Sequence, residues 1–106
     1  MYRGTTPTLT FTLPFPCDQL SVVNIAFAQK KPSYAKDAEI VLEKALCDCQ
    51  VNGNTLTLTL TEEDTLALDC HCLVEIQLRA KVGDVTMASE IITESVGRIL
   101  KDGCLE

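Results

Sequence analysis

A chain of 106 residues, 46% hydrophobic and 23% charged, has the length of one domain and enough apolar material to bury a core without covalent staples. Fifteen acids against nine bases give a net charge of -6 and a pI near 4.7, the wrong sign for neutralising phosphate backbones, so nucleic acid is set aside as a partner. No apolar run approaches the roughly 20 residues of a membrane helix, and the opening "MYRGTTPTLT" carries no signal-peptide apolar region, so the expectation is a chain made and kept in a reducing cytoplasm with no membrane insertion.

Aromatic residues make up 5% with no Trp, so the core is built from Leu, Ile, Val and Ala with Phe11, Phe15 and Phe27 as its bulkiest pieces. Thr8 to Phe15, "TLTFTLPF", alternates strictly, with Leu9, Phe11, Leu13 and Phe15 on one face and Thr8, Thr10 and Thr12 on the other. This is a half-buried strand whose end Pro14 places at an edge or bulge. "LSVVNIAFAQ" follows as a second strand with Val23, Ile25 and Phe27 inward, and "KKPSYAKDA" reads as a polar loop. "EIVLEKALCDCQV" fits neither period cleanly, but the Asn52-Gly53 hairpin signal behind it requires a strand on both sides. The second arm, "TLTLTLT", sets Leu56, Leu58 and Leu60 against threonines.

"TEEDTLAL" breaks the alternation. Thr61 as N-cap with Asp64 three positions on predicts one helical turn that crosses between sheets. "LVEIQLRAKVGDVTMASEII" is then a hairpin turning at Gly83-Asp84, with Val74, Ile76, Leu78 and Ala80 inward and Val85, Met87 and Ile91 on the returning arm. "TESVGRILKDG" extends that arm and ends in a glycine-containing turn. Six or seven short strands, one helical turn and no linker or repeat indicate an all-β antiparallel sandwich that occupies residues 1–106 as one domain.

The chemically pointed residues are the cysteines, which number six: Cys17, Cys47, Cys49, Cys70, Cys72 and Cys104. On strands, each Cys-x-Cys pair would present both thiols to one surface, and Cys47, Cys49, Cys70 and Cys72 together would suffice for a tetrahedral zinc site. The spacing argues against it, because straight strands spread such thiols by about 6.6 Å where the usual knuckle is Cys-x-x-Cys on a turn. Disulfides among the pairs are the second reading. The third, favoured by compartment and spacing, is reduced thiols acting as small hydrophobes. An enzyme with a Cys or His nucleophile would need a lowered thiol pKa. His71, the single histidine, points away from Cys70 and Cys72 if the segment is extended, and no oxyanion-type glycine loop accompanies it.

Glu62, Glu63 and Asp64 read as helix-end acids, since no Asp-x-Asp alternation supports calcium. Gly83, Gly97 and Gly103 form no phosphate loop. Lys30, Lys31 and Tyr34 form a basic and aromatic cluster that reads as a solvated loop, with a partner surface as its alternative. The threonine faces are either solvated or places where another subunit docks.

"YRGTTPTLTFTLPF", "VNGNTLTLTLTEEDTLAL" followed by "VEIQLRAKVGD", and "ITESVGRILKDG" together resemble a family of small proteins encoded by phages and prophages of Firmicutes. These are similar in turn to the immunoglobulin-like N-terminal domain of phage baseplate upper proteins, which attaches receptor-binding modules to the tail. The resemblance covers most of the chain. It implies an immunoglobulin-like fold and a tail or baseplate structural or adaptor protein that works by contact with other tail proteins or itself, with no cofactor and no catalytic residues. It places the protein in the bacterial cytoplasm when synthesised and then in the virion. The Cys-x-Cys pairs do not belong to the family pattern. Chain ends reach neighbours most freely, so Tyr2 and Arg3 and the stretch around Arg98 and Lys101 are the expected contact residues. The alternative function is a zinc-binding interaction module on the two Cys-x-Cys pairs.

Overall fold

The structure, a computed structural model, describes residues 1–30, 37–101 and 103. Among the described residues, eight strands run in the order β1 (Thr8–Thr12), β2 (Val22–Gln29), β3 (Glu39–Ala45), β4 (Cys49–Asn52), β5 (Thr55–Thr59), β6 (Val74–Val82), β7 (Val85–Ala88) and β8 (Ile92–Glu94). A helical turn, α1 (Glu62–Leu66), lies between β5 and β6, and 3-10 turns cover Cys17–Gln19 and Leu46–Asp48. The strands form two antiparallel sheets, ordered β1-β5-β4 and β3-β2-β6-β7, with β8 pairing the beginning of β6 below β7. These are the B-E-D and C′-C-F-G orders of an immunoglobulin sandwich. The 3-10 turns and α1 are the three places where the chain passes from one sheet to the other.

The core follows from the alternation. Leu56 and Leu58 on the middle strand of the small sheet, and Leu60 just past its end, pack with Val23, Ile25, Phe27, Val74, Ile76, Leu78 and Ala80 of the large one, all buried. Removing each large side chain from water contributes roughly 1.5–3 kcal/mol before the cost of ordering it. Phe27 is fully buried, whereas Phe11 and Phe15 pack only partly against the core because β1 is an edge strand. On the outer face of the small sheet Thr8, Thr10 and Thr12 stand opposite Thr59, Thr57 and Thr55, and the Thr8 and Thr59 hydroxyls lie 3.1 Å apart.

Local geometry departs from the sequence expectations in four places. Both hairpins carry their glycine at the first central position with positive φ, Gly53 at 61° and Gly83 at 57°, and the residue after each has negative φ. That is the sign pattern of a type II′ turn, so the first loop is Gly53-Asn54, one residue later than Asn52-Gly53 implied. The returning arm is not continuous but breaks at Ser89 into β7 and β8, and Val85 and Ile91 on it are exposed. The Ser89 hydroxyl accepts the Leu78 N–H at 3.0 Å in that break. "CDC" lies across a 3-10 turn and the first residue of β4 instead of a continuous strand, and "CHC" lies in a turn before β6.

The predicted helix cap is present. Asp64 N–H donates to the Thr61 hydroxyl at 3.1 Å, and Thr61 N–H donates to the Asp64 carboxylate at 2.9 Å. Lys44 on β3 reaches the same carboxylate at 3.0 Å and latches α1 to the edge of the large sheet. Burial works to raise the Asp64 pKa, but the Thr61 N–H and the Lys44 ammonium outweigh it and hold the carboxyl below the ordinary value. A carboxylate with a lowered folded pKa adds stability above the unfolded value near 4, and that stability is lost as pH falls through the folded value. Asp64→Asn is therefore expected to lower stability by about 1 kcal/mol at neutral pH, with the difference closing in acid below about pH 4. Urea melts of both proteins across that range measure it, and a difference independent of pH would refute the assignment.

Candidate functional site

The inward alternation of β2 runs Val23, Ile25, Phe27 and then Gln29, a polar residue with no exposure at all. Its amide lies where the chain leaves α1 and turns into β6, so the backbone there has no ladder partner. Gln29 Nε2 donates to the carbonyls of Asp69 at 2.8 Å and Cys72 at 3.3 Å, while its Oε1 accepts the Asp69 N–H at 2.9 Å. One buried amide thus fixes both ends of the segment Asp69–Cys72, and full pairing of its polar atoms makes that burial tolerable. The Asp69 carboxylate accepts the His71 N–H at 2.8 Å and tightens the turn further.

This turn brings Asp69, Cys70 and His71 together, their ligand atoms all within 4.8 Å of one another. Because the segment is not extended, His71 does not point away from the Cys70 thiol. His71 is exposed and lines two clefts. One of about 340 Å³ also has Lys30, Cys72 and Glu75 on its walls, and one of about 330 Å³ has Arg3, Asp69 and Cys70. Among the described residues, the Asp69, Cys70 and His71 group is the one in which three such donors converge, and Cys47, Cys49 and Cys72 are not in it.

The remaining thiols have separate surroundings. Cys17 belongs to the core, and burial, aided by the Asp18 charge, raises its pKa. Cys49, which packs partly against the core and donates from Sγ to the Ala45 carbonyl at 3.5 Å, is raised by burial and then by the charges of Asp48 and Cys47. A raised thiol stays protonated at neutral pH, the opposite of what a nucleophile or a ready metal ligand needs. Cys47 is exposed on the 3-10 turn. Cys104, Lys31 and Tyr34 lie outside the described residues.

Of the expected contact residues, Tyr2, Arg3 and Arg98 lie along one seam. Tyr2 and Gly97 form a parallel bridge, in which Arg3 N–H donates to the Gly97 carbonyl at 3.0 Å and Gly97 N–H to the Met1 carbonyl at 2.7 Å. The Tyr2 ring covers Gly97 so closely that a β-carbon there would lie 2.4 Å from it, and a β-carbon on Gly4 would lie 2.8 Å from Ile99. Residues 2–4 therefore run beside residues 97–99. The Arg3 guanidinium turns inward to the carbonyls of Leu66 and Leu68, at 2.9 and 2.8 Å, where it closes the C-terminal end of α1. Tyr2, Arg98 and Lys101 remain exposed. The buried Thr65 hydroxyl exchanges hydrogen bonds with Thr5, accepting its N–H at 3.0 Å and donating to its carbonyl at 2.8 Å.

Comparison with protein-family models, with curated proteins and with solved structures finds no match. No helix among the described residues is long and apolar enough to cross a membrane.

Sequence reasoning passed over Gln29. The available signal was a polar residue in phase with three inward apolar ones at the end of a strand. Gln29→Leu is expected to cost about 1–3 kcal/mol by leaving the Asp69 N–H and two carbonyls unpaired. It should also abolish hydrogen-exchange protection at the Asp69 amide while β5 amides keep theirs, and a still-protected Asp69 would refute this role.

Proposed function

We propose that this chain is a phage-derived structural or adaptor protein of a tail or baseplate, acting through contacts with other tail proteins or with copies of itself and not through catalysis. The observation that carries the reading is the convergence of residues 1–4 with residues 97–103. Tyr2 and Arg98, 96 positions apart in sequence, flank one parallel bridge, and Gly4 lies against Ile99 and Gly103 on either side of Lys101. Tyr2, Arg98, Leu100 and Lys101 are exposed in or beside these converging segments, and they bring basic and apolar groups there on a molecule of net charge -6. Aromatic and Arg side chains held by a rigid backbone are the usual anchors of protein interfaces, and the local positive charge suits an acidic partner face. The resemblance to baseplate domains supports the same reading.

Deleting residues 1–6 would remove the hydrogen bonds to Gly97 and Thr65 along with any contact surface, so exposed side chains make the cleaner test. The variant Tyr2→Ser with Arg98→Glu and Lys101→Glu is expected to keep stability within about 0.5 kcal/mol per site. It should lose capture of tail and baseplate proteins in a pull-down, or self-association measured on both proteins by native mass spectrometry, by at least about ten-fold. Wild-type levels of both from the folded variant would sink the proposal.

A further inference from the structure

We infer that Asp69, Cys70 and His71 form a binding site for a divalent ion of the zinc class. The three consecutive side chains supply a carboxylate oxygen, a sulfur and an imidazole nitrogen, and these donors lie within 4.8 Å of one another. Tetrahedral zinc, with bonds of about 2.0–2.3 Å, holds its ligand atoms roughly 3.3–3.8 Å apart. The remaining gap of about 1 Å is of the size that a change of side-chain rotamer covers, and His71 is exposed and Asp69 and Cys70 only half-buried.

The backbone is already set for it. Gln29, fully buried, holds Asp69 through both its N–H and its carbonyl and holds Cys72 just past the triad. Outer hydrogen bonds of this kind fix the chain that presents the ligands and raise affinity. One Asp69 oxygen accepts the His71 N–H, which leaves the other for the ion. Mixed sulfur, nitrogen and oxygen donors select zinc-like ions over magnesium and calcium, which take oxygen alone.

The charges balance. Aspartate, thiolate and neutral imidazole sum to minus two against a divalent cation, and binding converts the Cys70 thiol to thiolate with release of one proton to solvent. Arg3 lines the adjoining cleft, where its guanidinium is oriented by hydrogen bonds to the Leu66 and Leu68 carbonyls. Three protein ligands leave the fourth position open to the clefts that His71 borders, where water completes the tetrahedron.

The site is tested on the reduced, metal-free full chain. Calorimetric titration with Zn²⁺ is expected to show one ion per chain, and Co²⁺ as a probe should give a near-ultraviolet thiolate-to-cobalt band. Cys70→Ser should abolish the band and His71→Gln should weaken binding, each by at least about ten-fold in affinity. The double variant Cys47→Ser, Cys49→Ser should keep both signals, with circular dichroism showing every variant folded. Absence of saturable zinc binding by the wild type, binding undiminished in both Cys70→Ser and His71→Gln, or binding lost from the Cys47 and Cys49 variant would each overturn the inference.

Discussion

The ladder between β2 and β6 pairs residues 22–29 with residues 74–81 and places the two central strands of the large sheet side by side. Its partners are some fifty positions apart in sequence. Everything between them is therefore an excursion that starts and ends at this ladder. The chain turns back on β2 as β3, crosses through a 3-10 turn into the small sheet, doubles there as β4 and β5, and returns through α1. Loop-closure entropy opposes such a long-range pairing until the apolar faces of both sheets are buried against each other. The ladder and the leucines of β5 thus stand or fall together.

The two ends of that ladder are finished differently. At the end where β6 turns into β7, Val82 and Val85 close the hairpin around Gly83, and only backbone conformation is demanded. At the other end the chain enters from α1, and three peptide groups would be left without partners in a dry environment. Gln29 answers all three with one side chain. The rigid turn that results holds Asp69, Cys70 and His71 as a group, whereas Cys17 and Cys49 are held as protonated thiols by burial.

Much of the fold was legible wherever one periodicity ran uninterrupted. Thr8–Thr12, Val23–Phe27, Thr55–Leu60 and Val74–Ala80 each alternate in the sequence and alternate in burial, and the Thr61 and Asp64 cap is a local pairing that needs no tertiary context. The misread stretches are those whose geometry is set from a distance. Nothing in "VTMASEII" reveals that the returning arm is interrupted, since Ser89 there meets Leu78 on β6, eleven residues upstream. The turn at "CHC" depends on an amide about forty residues upstream. For the contact surface, position in the chain drew attention to Tyr2, Arg3, Arg98 and Lys101, but not the inward commitment of Arg3, which requires the end of α1 to be in place.

The seam between residues 2–4 and 97–99 also has a mechanical meaning. Its bridge is parallel, with Gly97 bonded to Met1 on one side and to Arg3 on the other. Tension applied between residue 1 and residue 101 would pull the two segments along their own length in opposite directions. Both hydrogen bonds would then carry the load at once, in shear, and the Tyr2 ring seated over Gly97 would have to slide before either gave way. An antiparallel pairing at the same place would open one bond at a time, like a zipper. Load between these two residues would therefore meet the seam before it reached the paired strands of either sheet.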